Sequence, residues 1–287
     1  MSDKPKEFFI SIDMEGISGI VGGGMTGSDP KEYEVGRRLM AGDLNAAIEG
    51  ALEAGAEEIV VSDAHGWMTN IQPEDVHEAA HLIRGSPKPD LMMSGISDGF
   101  DAALYVGYHA MKGTENGVLA HTISGGTVDG VFINGRETGE FGLNAALAGW
   151  HGVPSVFIAG DAAVAAEARS FVPNIRAAVV KWGVSRVAAK CLHPKRARAL
   201  IKRTVTEALA NTGSIEPFRV EEPVEVKLRF VNSTMADAAA VLPYVERVDG
   251  RTVKAVFSNN PESTRGLLAA ISLGGTPTLM RMLAARR

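Results

Sequence analysis

Two carboxylates, Asp13 and Glu15, stand directly after the apolar run 8–12, in the segment Ser11-Ile12-Asp13-Met14-Glu15-Gly16. In a strand, side chains at i and i+2 share a face, so this pair projects together. Like charges side by side at a strand end are costly unless a proton or a metal ion separates them. The same arrangement returns along the chain. Asp63 and His65 follow the apolar stretch 58–62, His109 follows 102–107, and Glu140 opens a helical pattern. Asp13, Glu15, His65, His109 and Glu140 form an N/O donor set suited to zinc or another first-row divalent metal. If one carboxylate bridges, five ligands can serve two metals and leave space for a shared water. Such a pair activates that water and polarises a carbonyl or phosphoryl oxygen. For Asp63 two roles stay open, ligand or orienting partner of His65.

The elements that must position these groups are legible as an alternation. Strands are expected over 8–12, 58–62, 102–107, 130–134, 155–159 and 177–180, with helices over 33–54 and 140–150 and an alanine-rich helix after Asp161. Gly55 is the expected end of the first helix. Apolar strands alternating with helices predict an α/β fold: a mainly parallel open sheet with helices on both faces. In such sheets ligands gather beyond the carboxyl ends of the strands, where residues distant in sequence converge. Beyond residue 190 the texture changes. A basic amphipathic helix over 194–211 precedes the alternating strand 224–231, with 252–257 as its partner and 261–271 as a covering helix. The expected division is a metal-binding catalytic domain over 1–189 and a smaller, closely packed α+β C-terminal subdomain over 190–287.

Composition narrows the function. The 287 residues carry a net charge of −5, which argues against nucleic acid or an anionic membrane as partner. No run of 18 apolar residues and no apolar leader is present, and the single Cys191 excludes an internal disulfide, so a cytoplasmic location is expected. Cys191 itself reads as a buried structural thiol. The glycines after Glu15 match neither a dinucleotide fingerprint nor a phosphate loop, and no serine sits in a G-x-S-x-G elbow. Asp161 reads as a helix N-cap, and His77, His81, His151 and His193 as structural or solvated residues.

Ser-Ile-Asp-Met-Glu-Gly-Ile-Ser-Gly at 11–19, Ser-Asp-Ala-His at 62–65, Gly-Tyr-His-Ala at 107–110, Ala-His-Thr at 120–122 and Gly-Glu-Phe-Gly-Leu-Asn-Ala at 139–145 occur in that order. In these blocks the chain resembles the dinuclear zinc D-aminopeptidases of bacterial dipeptide-transport operons. Ala-Gly-Asp at 159–161 and Ala-Val-Val-Lys at 178–181 extend the likeness, which covers roughly 7–260 and thins after 190. The resemblance implies two Zn2+ per subunit. Asp13 would bridge them, with Glu15 and His65 on the first and His109 and Glu140 on the second, while His121 would be catalytic. It implies hydrolysis of short peptides bearing an N-terminal D-amino acid of the D-Ala type, by a hydroxide shared between the zincs. It also implies a cytoplasmic homo-oligomer, a decamer of stacked pentamers. One departure is visible: the segment from His109 to His121 is a residue longer than in the founding type, around 112–116.

Two other classes fit the same donor set. One is metal-dependent hydrolysis of phosphoesters or other amides. The other is a non-catalytic, metal-stabilised ring subunit that binds peptides. His121 weighs against the second, since a structural site needs no additional titratable group beside it.

Overall fold

The computed structural model describes residues 6–96 and 99–284. A seven-stranded sheet forms the larger layer: β1 (Glu7–Ile12), β2 (Glu58–Asp63), β3 (Ala80–Ile83), β4 (Ala102–Tyr108), β7 (Ser155–Asp161), β8 (Arg176–Ser185) and β9 (Ala188–Cys191). Their order is β3-β2-β1-β4-β7-β8-β9. All neighbours run parallel except β8 and β9. β4 and β7 are buried along their whole length, as expected of parallel strands covered on both faces. The α/β expectation for this half is borne out.

Chain direction explains the layers. From β1 the chain winds one way through α1 (Pro30–Glu53) to β2. After β4 it winds the other way, through α2 (Glu140–Trp150) to β7 and α3 (Ala162–Phe171) to β8. Right-handed crossovers in opposite directions put their helices on opposite faces. Accordingly α1 packs with α4 (Pro194–Leu209), and α2 packs with α3. The reversal lies between β1 and β4, and that crevice is where an open parallel sheet collects its ligands.

The smaller layer is a five-stranded antiparallel sheet in the order β11-β12-β10-β5-β6. It comprises β5 (Val128–Ile133), β6 (Arg136–Glu137), β10 (Val224–Phe230), β11 (Glu246–Arg247) and β12 (Thr252–Phe257). Val224, Val226, Leu228 and Phe230 face inward, and the expected pairing of β10 with β12 holds in register, Val224 opposite Phe257. Helices α5 (Ser233–Ala239) and α6 (Asn260–Ala284) cover the sheet, with Met235, Leu267 and Ile271 closing its core. One strand lies elsewhere than its position in the alternation suggested. β5 pairs with β10, not with the parallel sheet. An apolar run specifies that a strand forms but not which neighbour it meets. The tight turn Asn134-Gly135, both at positive φ, returns β5 into β6, and that pair is the short-range hairpin signal. β5 and β6 thus reach the smaller sheet from mid-chain, while α4 from beyond residue 190 packs on the larger layer. Helix α6 also contacts α2, so the layers meet beside Glu140.

Candidate metal centre

Asp13 and Glu15 are held where β1 runs on past its last ladder residue. The Asp13 amide donates to the Val106 carbonyl (2.8 Å) and the Gly16 amide to that of Gly107 (2.7 Å), both on β4. Position 16 admits no side chain, because a Cβ there would collide with the backbone at Gly107 and Tyr108. Behind this segment lies Lys181, fully buried, whose ammonium donates to the carbonyls of Glu15 (2.5 Å), Ile17 (3.0 Å) and Ile20 (2.6 Å). Ser18 is fixed in turn by Asp43, which accepts from its amide and its hydroxyl, each at 2.9 Å. Burial pushes the Asp43 carboxyl up to about 6 against these hydrogen bonds.

His65 follows β2, and His109 follows β4. The two oxygens of Asp13 separate between them: Oδ1 lies 3.3 Å from His65 Nδ1 and Oδ2 lies 3.3 Å from His109 Nε2. Glu15 Oε2 approaches His65 Nδ1 at 2.9 Å, and Glu140 Oε1 approaches His109 Nε2 at 3.4 Å. Glu140 sits in the first turn of α2, where the helix dipole favours a carboxylate, and the Ile123 amide donates to its Oε1 at 2.6 Å. His121 comes from the loop between β4 and β5. Its Nε2 is 3.8 Å from the same Glu140 oxygen, and its ring stacks on His109 with centroids 4.1 Å apart and planes 11° from parallel. The donor atoms fall into two groups of metal-binding reach, Asp13–Glu15–His65 and His109–His121–Glu140.

The outer nitrogens of the imidazoles decide what the inner ones offer. A carbonyl can only accept, so His65 Nε2–H donates to Thr26 O (2.9 Å) and His109 Nδ1–H donates to Ala110 O (3.0 Å). In the neutral rings this leaves the lone pairs of His65 Nδ1 and His109 Nε2 aimed at carboxylate oxygens. Lone pair against lone pair is repulsive unless a cation lies between them. Three buried atoms here, Asp13 Oδ2, Glu15 Oε2 and His109 Nε2, make no hydrogen bond of acceptable geometry. Burial opposes a charge on His65 and His109, yet the nearby carboxylates, Glu15 for the first and Glu140 for the second, outweigh it and hold both pKa values well above the ordinary imidazole range. Burial raises Glu140, but the facing His109 charge overcomes it and leaves the carboxyl below its usual value. The centre is short of positive charge, and the donors present fit a divalent metal in each group.

Asp63 is in neither group. It accepts from the Asn70 amide (2.6 Å), the Asn70 side chain (2.7 Å) and the Ile71 amide (2.9 Å), while Asn70 Nδ2 also reaches the His65 carbonyl (2.7 Å). It therefore shapes the loop that carries His65 without touching the ring. Asp161 caps α3 through the Val164 amide (2.8 Å), as its sequence context indicated, and also accepts from Val118 (2.6 Å) in the loop leading to His121. Among the described residues His77, His81, His151 and His193 join neither group, and His193 caps α4. Cys191 is half-buried on β9 instead of fully buried, because β9 is the sheet's edge strand.

Lys181 is the clearest supporting residue that pattern reading gave no role. Its signals were a lone lysine inside an apolar strand and its place in the Ala-Val-Val-Lys block at 178–181, neither of which gave it a role. A second is Tyr108, whose hydroxyl pairs with Ser11 Oγ (2.6 Å) and accepts from Asn144 (2.8 Å), tying β4 to β1 and α2 beneath the centre.

A cavity of about 140 Å³ opens on the centre, walled by Asp13, His65, Met68, Met92, Ile123 and Glu140. His121 lines both this space and a neighbouring one of about 730 Å³. No helix among the described residues is long and apolar enough to cross a membrane.

Known proteins resemble this chain in sequence and fold. The D-aminopeptidase family, peptidase M55, matches residues 7–269. A D-aminopeptidase of Bacillus subtilis (strain 168) is 38% identical over 246 residues, spanning 86% of this chain and 89% of that one. A solved structure described as the Zn-dependent D-aminopeptidase DppA from Bacillus subtilis, a self-compartmentalizing protease, superposes with a TM-score of 0.91. It is 36% identical, with 93% of this chain and 97% of that one covered. By fold, by length matched and by sequence, this chain belongs to the D-aminopeptidase family.

Proposed function

We propose that this chain removes an N-terminal D-amino acid of the D-alanine type from short peptides, with two zinc ions held by Asp13, Glu15, His65, His109 and Glu140. The observation that carries the reading is the convergence of two imidazoles and three carboxylates on one buried centre, where Asp13 Oδ2, Glu15 Oε2 and His109 Nε2 are left without a hydrogen-bond partner. Asp13 is the bridging ligand in this scheme, because each of its oxygens addresses a different histidine. Bound zinc at such a site supplies Lewis-acid chemistry, a water acidified toward neutral pH and a polarised carbonyl.

His121 belongs to the proton chemistry in this reading. The His121 ring lies flat against that of His109, so the in-plane lone pairs of the two rings do not converge on one point. His121 and His109 are therefore poorly placed to share one ion. His121 Nδ1–H donates to Leu119 O (2.9 Å), which leaves the Nε2 lone pair free to take the proton released by the attacking water and, as imidazolium, to steady the oxyanion and pass that proton to the departing amine. Met68, Leu91, Met92 and Ile123 wall the smaller cavity, exclude water and leave room for a small side chain.

The relative described as a self-compartmentalizing protease supports assembly of this chain as well, into a homo-oligomer read here as a cytoplasmic decamer that admits only short peptides. Val184 and Val187, 71% and 57% exposed on the β8–β9 hairpin, are apolar surface that assembly would cover. Nothing in the centre favours phosphoester hydrolysis or binding without turnover.

The test is turnover of paired D-alanyl and L-alanyl p-nitroanilides by purified protein, with chelator and added zinc as controls. Zinc-restored cleavage favouring the D-substrate is expected. Cleavage of the L-substrate alone would overturn the stereochemistry, and cleavage of neither, with aryl phosphate hydrolysed, would overturn the class.

A further inference from the structure

The cavity beside the metal centre holds only about 140 Å³ and is closed by Met68, Leu91, Met92 and Ile123. A peptide whose first residue fills it must continue past His121, the residue shared with the larger space of about 730 Å³. Three cations line that larger space: Lys112, Arg186 and Arg229. Two of them are occupied. Lys112 donates to the carbonyls of Gly125 (3.1 Å) and Val128 (2.8 Å) beside Asp129, and Arg229 pairs with Asp129 (2.9 Å) and Glu137 (3.6 Å). Arg186 differs. Its side chain makes one long hydrogen bond, Nε–H to Ala120 O at 3.4 Å, and among the described residues no carboxylate pairs with it. Its own carbonyl accepts from the Leu119 amide (2.7 Å), so Arg186 is fastened to the loop that delivers His121.

A guanidinium without an internal anion, facing a cavity on the leaving-group side of the scissile bond, is built to take a carboxylate in a forked pair. We infer that Arg186 receives the free C-terminal carboxylate of the substrate, which makes short peptide acids, not C-terminally blocked peptides, the preferred substrate class. The inference rests on the peptidase reading and adds a specificity-determining residue to it.

The experiment compares a D-alanyl dipeptide and a D-alanyl tripeptide, each as free acid and as C-terminal amide, on zinc-loaded wild type, R186Q and R186K. Wild type should favour at least one acid over its amide by about tenfold or more in kcat/KM, chiefly through KM, since hydrogen bonds to charged groups carry this much. R186Q should bring that ratio close to one, and R186K should keep part of it. Equal use of acid and amide by wild type, or a preference that survives in R186Q, would overturn the assignment. Arg186 holds the loop through its backbone carbonyl, so R186Q should keep the wild-type Tm. Failure of the peptidase reading shows separately, as absent turnover of D-alanyl p-nitroanilide, which has no carboxylate. In that event calorimetric binding of the same acids and amides decides. Tighter binding of an acid that is lost in R186Q supports the role, and no preference overturns it.

Discussion

The two donor groups lie side by side but are held in different ways. Asp13, Glu15 and His65 project from adjacent parallel strands. Their backbone is clamped by β4 carbonyls that accept from the Asp13 and Gly16 amides, by the buried ammonium of Lys181 and by Asp43 through Ser18. In the second group only His109 follows a strand of the larger sheet. Glu140 begins a helix, and His121 rides on a loop pinned by Asp161, Arg186 and the stacked His109 ring. The rigid group suits holding a metal. The loop-borne histidine, half-buried between two cavities, suits moving a proton to and from a departing group.

Replacing Asp13, whose two oxygens face a histidine of each group, is the most severe way to break the contrast. Asp13→Ala should lose both metals by elemental analysis and lower turnover at least about a thousandfold, because metal polarisation is worth several kcal/mol. Two metal equivalents retained in that variant would refute the bridging assignment. His121→Ala separates the groups. It should keep both metals and lose on the order of a hundredfold to ten-thousandfold in kcat, the range of positioned proton transfer. Loss of one metal equivalent on that substitution would make His121 a ligand and erase the distinction.

The difference in construction is also why one group was readable from sequence and the other only in part. Period-two alternation after an apolar run places Asp13 and Glu15 on one face, and the same logic carries His65 and His109 to neighbouring strand ends. No such rule reaches His121. It follows no apolar strand, and only resemblance singled it out. β5 shows the same gap at the level of the fold, since its residues specify a strand while its partner, β10, lies almost a hundred residues on. The roles of Lys181 and Arg186 were not legible, because a lysine facing carbonyls and an arginine without a carboxylate are facts of three-dimensional surroundings. Asn134-Gly135 was a local signal that does declare the β5–β6 hairpin.

Smaller effects sharpen the comparison from the rigid side. Lys181→Met keeps the side chain's length but leaves the buried carbonyls of Glu15 and Ile20 unpaired, while that of Ile17 keeps the Ile20 amide, so it should cost about 2 kcal/mol or more in denaturant unfolding. It should also weaken the metal held by Glu15 and His65 by roughly 10- to 100-fold while sparing the second. Equal weakening of both metals would show that Lys181 supports the whole sheet and not one group.

Asp43 gives a pH signature. Its carboxyl is raised from 3.8 to about 6 by burial, so between those values the folded state binds the proton that the unfolded chain has released. The stability it contributes is complete below about 3.8 and is lost as pH rises through about 6. Relative to Asp43→Asn, wild type should therefore become less stable by roughly 3 kcal/mol across that window, taking 1.36 kcal/mol per pK unit. A flat difference between the two proteins would mean that Asp43 stays ionised throughout, held by Ser18 and by Arg198, whose Nε lies 3.5 Å from its Oδ1.

The most direct test of the central claim is an anomalous difference map at the zinc edge from a zinc-loaded crystal. Two peaks are predicted on either side of Asp13, one contacted by Glu15 and His65 and the other by His109 and Glu140, with His121 Nε2 beyond the ~2.0–2.1 Å of a zinc–nitrogen bond. A single peak, or a second one ligated by His121, would contradict the account.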